Sequence, residues 1–122
     1  MNRRKIVVYV CAPYRAPTVH EIVENIDQAK RVAKHIWKLG VTVLCPQANS
    51  ALFDGLIPDK EFLAGTMELM LRCDIVFVAG TQISDGMRGE IEQARKSGMC
   101  VLYSQAALLH KIGELTEVDS AK

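Results

Sequence analysis

Residues 5–11 read KIVVYVC, a short β-branched run that is apolar at almost every position rather than at alternate ones. Such a run is a strand buried on both faces. It constrains the fold more than any other stretch, because a sheet built on it must be covered from above and below. Three further runs repeat the pattern, at residues 41–45 (VTVLC), 74–79 (DIVFVA) and 99–103 (MCVLY). Between them lie segments of helical periodicity. Over residues 19–39, Ile22, Ile26, Ala29, Ala33 and Ile36 form one apolar face, with Glu24, Asp27, Lys30, Arg31 and Lys34 off it. Thr18, three residues before Glu21, caps the start as a capping box, and Gly40 stops the helix.

A second helix is expected over 59–72, with Phe62, Leu63, Thr66, Leu69 and Met70 on its inner side. A third is expected over 86–97, ended by Gly98, and a short fourth over 106–112, ended by Gly113. Residues 46–58 read as a long loop, and the polar tail from about 114 to 122 as a segment that frays. Strand and helix alternating at this cadence form βαβ units. The expectation is a single α/β domain over 1–122, a flavodoxin-like or Rossmann-like three-layer sandwich with a parallel sheet of four or five strands. Ligands of such sheets bind beyond the carboxyl ends of the strands. Residues 12–17, 46–58 and 80–86 follow the first three strands, so all three turns can meet over one crevice.

The 122 residues carry a formal net charge of +1, which argues against recruitment of nucleic acid or an acidic membrane. The basic block Arg3-Arg4-Lys5 reads as a solvated lead-in to the first strand. Cys11, Cys45, Cys73 and Cys100 lie in or beside apolar runs without CxxC spacing, as reduced thiols of a cytoplasmic protein do. His20, His35 and His110 are scattered without ligand spacing, which argues against a zinc site, and no motif for a metal or redox cofactor is present, so no cofactor is expected. No apolar run reaches membrane-spanning length, and no signal peptide precedes the first strand.

The stretch Thr81-Gln82-Ile83-Ser84-Asp85-Gly86-Met87-Arg88-Gly89-Glu90 runs from a strand into a helix, and free N–H groups at a helix start attract anions. Ser84 and Asp85 fit that role or that of an ordinary cap. Glu90 falls between Met87 and Ala94 on or beside the buried face, where a carboxylate is costly unless a site uses it; the alternative places it on the face's margin. Arg15, just beyond the first strand, is either a phosphate clamp or a solvated loop residue. Tyr9 is either core or a hydroxyl donor inside the site. Tyr14 and Phe53 either stack on a base or anchor loops.

Taken together, the segments Tyr9-Val10-Cys11-Ala12-Pro13-Tyr14-Arg15, Cys73-Asp74-Ile75-Val76 and Ser84-x-Gly86-x-x-x-Glu90 resemble the nucleoside 2-deoxyribosyltransferase superfamily. They are nearest its 2'-deoxynucleoside 5'-phosphate N-hydrolase branch and related bacterial and phage domains. The likeness covers most of residues 5–103. It implies cleavage or exchange of an N-glycosidic bond on a nucleoside or its 5'-monophosphate. It casts Glu90 as the carboxylate that attacks the anomeric carbon and Tyr9 as its orienting hydroxyl. Arg15, Ser84 and Gly86 would hold the 5'-phosphate, with Tyr14 and Asp85 beside them. It also implies a homodimer or larger homo-oligomer, for which Met67 and Met70 are candidate interface residues unless they are core. The likeness departs at Thr66, where relatives carry an aspartate on the base side, and at Pro13, where the hydrolase branch has a serine. A non-catalytic nucleotide sensor on the same fold is the rival reading.

Overall fold

The computed structural model describes residues 5–120, with side chains through Thr116; Arg3 and Arg4 of the basic block lie outside them. Four strands, β1 (Val7–Cys11), β2 (Thr42–Leu44), β3 (Ile75–Val78) and β4 (Cys100–Leu102), alternate with five helices: α1 (Val19–Trp37), α2 (Pro46–Asn49), α3 (Asp59–Leu71), α4 (Asp85–Lys96) and α5 (Gln105–Ser120). All strand pairs are parallel, in the order β2-β1-β3-β4. The chain moves from β1 to one side, then crosses to β3 on the other. The strand order therefore reverses between β1 and β3, the place where such sheets open a crevice.

β1 has partners on both edges, with Tyr9 level with Leu44 on one side and Val76 on the other. Its side chains alternate between two separate cores. Val8 and Val10 join Ile75, Val41 and Val43 under Ala29, Ala33 and Ile36 of α1 and Leu108 of α5. Tyr9 and Cys11 join Val76 and Val78 under Met70 of α3 and Met87, Ile91 and Ala94 of α4. Three layers follow directly from a strand that is apolar on both faces.

Local chemistry sets the ends. Thr18 Oγ1 accepts from the Glu21 backbone N–H at 3.2 Å and donates to the Glu21 carboxylate at 3.0 Å. Thr18→Ala should cost about 1 kcal/mol of unfolding free energy, read as a lower denaturant midpoint with an unchanged slope. After α1 and α4, Gly40 and Gly98 take the left-handed backbone at φ +87° and +75°, conformations that L side chains resist.

Three expectations change. Residues 46–58 are not all loop: Pro46, with its fixed φ and no N–H, starts the short helix α2, closed by the Ser50 N–H on the Pro46 carbonyl. α5 does not stop at Gly113. It runs through the stretch expected to fray as far as Ser120, because Ile112 and Leu115 pack on the first core from either side of the glycine; residues 121–122 lie outside the described residues. On α3 the inner stripe is Phe62, Thr66, Met67 and Met70, while Leu63 and Leu69 are exposed. Met67 and Met70 thus belong to the second core rather than to an exposed face. Among the described residues, no helix is long and apolar enough to cross a membrane.

Candidate active site

Tyr9 and Cys11 are two residues apart on β1 and so share its α3/α4 face. α4 is started against that face by Ser84, whose Oγ accepts from the Met87 N–H at 3.3 Å. Met87, Ile91 and Ala94 are buried, and Glu90, one turn beyond Met87, is carried to the same surface. The Tyr9 hydroxyl donates to Glu90 Oε2 at 2.6 Å, and the Cys11 thiol donates to Glu90 Oε1 at 3.3 Å. Tyr9 is completely buried, so its ring is core and its hydroxyl has an inward partner.

Burial pushes the Glu90 carboxyl above the usual carboxylate range, and the bonds from Tyr9 and Cys11 pull it back toward the ionised form. Burial, and then the Glu90 charge, push the Tyr9 phenol and the Cys11 thiol far up. Both shifts favour the protonated forms, which are the forms that donate to Glu90. The trio is a two-armed cradle for one carboxylate.

Glu90 stands in the wall of a cavity of about 520 Å³ at the carboxyl ends of β1 and β3. The three turns expected to converge there do so. Ala12, Tyr14 and Arg15 come from the first, Ser50 and Asp54 from the second, and Ser84, Asp85 and Gly86 from the third. α3 closes the fourth side with Asp59, Phe62 and Thr66. The helix start at Ser84 and Gly86 thus faces the same space as Glu90, and Thr66 lines that space from α3. Phe53 is half exposed and does not line the cavity. Glu68 is turned away and pairs with Arg72 at 3.0 Å.

Arg15 has two carboxylate partners. Its Nη1 lies 2.7 Å from Asp54 Oδ2 and its Nη2 2.8 Å from Asp59 Oδ1. Tyr14 completes the link, donating to Asp54 Oδ1 at 2.6 Å and accepting from the Leu52 N–H at 3.0 Å. The hydrogen bond from Tyr14, aided by the Arg15 charge, holds the Asp54 carboxyl below its usual range. Leu52 takes a left-handed backbone at φ 63°, a conformation that costs a leucine roughly 1–2 kcal/mol. These exposed ion pairs add little stability; they tie the second turn across the mouth of the first. Beneath them Gln47, almost fully buried, donates to the Ala12 carbonyl at 2.7 Å, and Asn25 donates to the Tyr14 carbonyl at 3.1 Å.

Sequence reasoning placed Tyr9, Tyr14, Arg15, Ser84, Asp85, Gly86 and Glu90, and the structure brings all seven to this crevice, with Tyr9 behind the wall. It missed Cys11 as a partner of Glu90, although the i, i+2 spacing to Tyr9 carries that signal. It also missed Gln47 as the brace of the first turn and the two aspartates on Arg15. Among the described residues, no three His, Cys, Asp or Glu side chains group so as to hold a metal ion.

Solved structures share this fold. The 2-deoxyribosyltransferase from Bacillus psychrosaccharolyticus superposes with a TM-score of 0.55 at 21% identity, over 78% of this chain and 69% of that one. The 2-deoxyribosyltransferase from Leishmania mexicana gives 0.58 at 14% identity, over 80% of this chain. The present chain spans only 63% of that protein's length. A conserved protein from Enterococcus faecalis V583 gives 0.54 at 20% identity, over 94% of this chain and 77% of that one. No curated protein matches the sequence. Residues 6–104 match the family model described as "Domain of unknown function (DUF7768)".

Proposed function

The chain belongs to the DUF7768 family, described only as a domain of unknown function, and from its site we propose that it breaks the N-glycosidic bond of a nucleoside, with Glu90 meeting the anomeric carbon. The observation that carries this reading is the Glu90 carboxylate in the cavity wall, held by Tyr9 at 2.6 Å. A buried carboxylate is expensive to keep. Breaking a C1'–N bond builds positive charge on the sugar, and a fixed carboxylate beside the ring stabilises that charge or bonds to it. In the covalent form, a Glu90 oxygen bonds to C1' as the C1'–N bond breaks. The base leaves with the bonding electron pair and takes a proton from solvent. Water then cleaves the glycosyl ester, giving hydrolysis; a second base in place of water gives exchange. The fold shared with proteins named 2-deoxyribosyltransferases supports the same chemistry.

In this reading Ser84, Asp85 and Gly86 hold the 5' end of the sugar, Tyr14 and Arg15 form the wall beside it, and Thr66 stands toward the base. The charges favour an unphosphorylated nucleoside. Arg15 is matched by Asp54 and Asp59, and Asp85 and Glu90 add two more carboxylates around the same space. A phosphate entering there meets repulsion and must displace the partners of Arg15. The second reading, a 5'-monophosphate, draws on the α4 start, whose Ser84 and Gly86 line the cavity.

The test is incubation with a panel of nucleosides and their 5'-monophosphates, with and without a second base, and chromatography of the free base. Nucleosides should be cleaved at least about 10-fold faster than their monophosphates at low salt. A preference for the monophosphates assigns Arg15 to the phosphate. Release of base from no member sinks the proposal.

A further inference from the structure

Both oxygens of Glu90 have a protonated partner, and only one of those partners is the tyrosine. We propose that Cys11 is a positioning residue, whose thiol holds Glu90 Oε1 while Tyr9 holds Oε2, so that the carboxylate plane is fixed toward the cavity and the two oxygens are made unequal. The catalytic consequence rests on the glycosidic reading above; the hold on the carboxylate does not.

The geometry is specific. Cys11 is completely buried at the end of β1, and its Sγ lies 3.3 Å from Oε1; its other acceptor, the Met87 carbonyl, is farther at 3.9 Å. The phenol at 2.6 Å is a strong donor, whereas a thiol is a weak one. Oε2 is therefore tightly engaged and Oε1 is steadied but keeps more of its charge. That asymmetry suits a carboxylate that must present one free oxygen to an electron-poor carbon. An apolar side chain at position 11 would pack equally well but would leave Oε1 to rotate about the Tyr9 bond.

The groups that face Glu90 are few. Tyr9 and Cys11 approach from β1, Cys73 packs on the same core and acts electrostatically on Tyr9, and Arg15, Asp54, Asp59 and Asp85 stand around the same cavity. Of these, Tyr9 and Cys11 hydrogen-bond the carboxylate. Hydrogen bonds to the ionised form favour it. Removing the thiol should therefore raise the Glu90 titration point and shift the acid limb of the rate profile upward with it.

The experiment compares wild type, Cys11→Ala and Cys11→Ser. It reads the Glu90 side-chain carboxyl by 13C NMR titration, and kcat and KM for base release against pH. In Cys11→Ala the titration and the acid limb should rise together, with kcat about 10-fold lower and KM within about 2-fold. Cys11→Ser, whose hydroxyl is the stronger donor, should take the titration below the wild-type point. It also carries the test alone if the alanine variant does not fold, since an unmoved titration in Cys11→Ser is then contrary to the proposal. A Glu90 titration that ignores the loss of the thiol overturns the proposal. A wild type that releases no base, with the titration still moving in Cys11→Ala, removes the glycosidic reading and keeps the hold.

Discussion

Glu90→Gln should lower base release by on the order of 10^4-fold while leaving the protein folded and slightly more stable. The loss follows from chemistry: an amide neither carries the charge that faces the anomeric carbon nor forms a glycosyl ester. The gain in stability follows from burial. Glu90 is largely enclosed, and burial lifts its carboxyl above the ordinary value despite the bonds from Tyr9 and Cys11. Between the unfolded and folded values the native state binds more protons than the unfolded chain. Stability therefore falls as pH rises through that window and stays reduced above it. Glutamine removes that penalty and still accepts from Tyr9. The variant should thus exceed wild type by about 1 kcal/mol near neutral pH, with the difference closing below the ordinary glutamate range. Wild-type activity should disappear as pH falls through the raised Glu90 value. Thermal denaturation at several pH values, run beside the base-release assay, checks both halves. Undiminished release by Glu90→Gln would remove Glu90 from the reaction.

Most of the fold was legible because each strand is a compact apolar run and each helix carries its own stop. The burial of β1 on both faces required helices on both sides, and Gly40 and Gly98 ended α1 and α4 within a residue or two of expectation. What was not legible depends on tertiary contacts. Nothing local tells Gly113 that Ile112 and Leu115 will find the first core, so the local signal predicts a helix end that the tertiary contacts override. Leu63 and Leu69 look like core in a helical count, but the stripe that meets α4 runs through Met67 and Met70. At the site, spacing left Glu90 either inward or on the face's margin, and only the likeness to the deoxyribosyltransferases linked it to Tyr9; the 2.6 Å contact between them is a tertiary one. The ion pairs of Arg15 with Asp54 and Asp59 join segments about forty residues apart and have no sequence period to reveal them.

Met70→Ala should unfold the protein about 10 °C earlier and reduce base release well below the new midpoint, whereas Leu108→Ala should match the first effect without the second. Each side chain is completely buried, and each truncation removes methylenes and leaves a cavity, costing about 3 kcal/mol. That is a large share of the roughly 5–15 kcal/mol that holds a domain of this size together. The difference lies in which face of the sheet is opened. Leu108 sits in the core under α1 and α5, with Val8 and Val10, and does not line the crevice. Met70 sits in the core that contains Tyr9 and Cys11, the two residues that hydrogen-bond Glu90. A void there gives the Tyr9 ring room to tilt, and a bond of 2.6 Å is sensitive to such movement. Met70→Leu, nearly equal in volume, should cost less than about 1.5 kcal/mol and keep the activity. Circular dichroism melts and rates measured at 25 °C separate the cases. If Leu108→Ala lost as much rate as Met70→Ala while still folded, the site would depend on general rigidity rather than on the packing behind Tyr9.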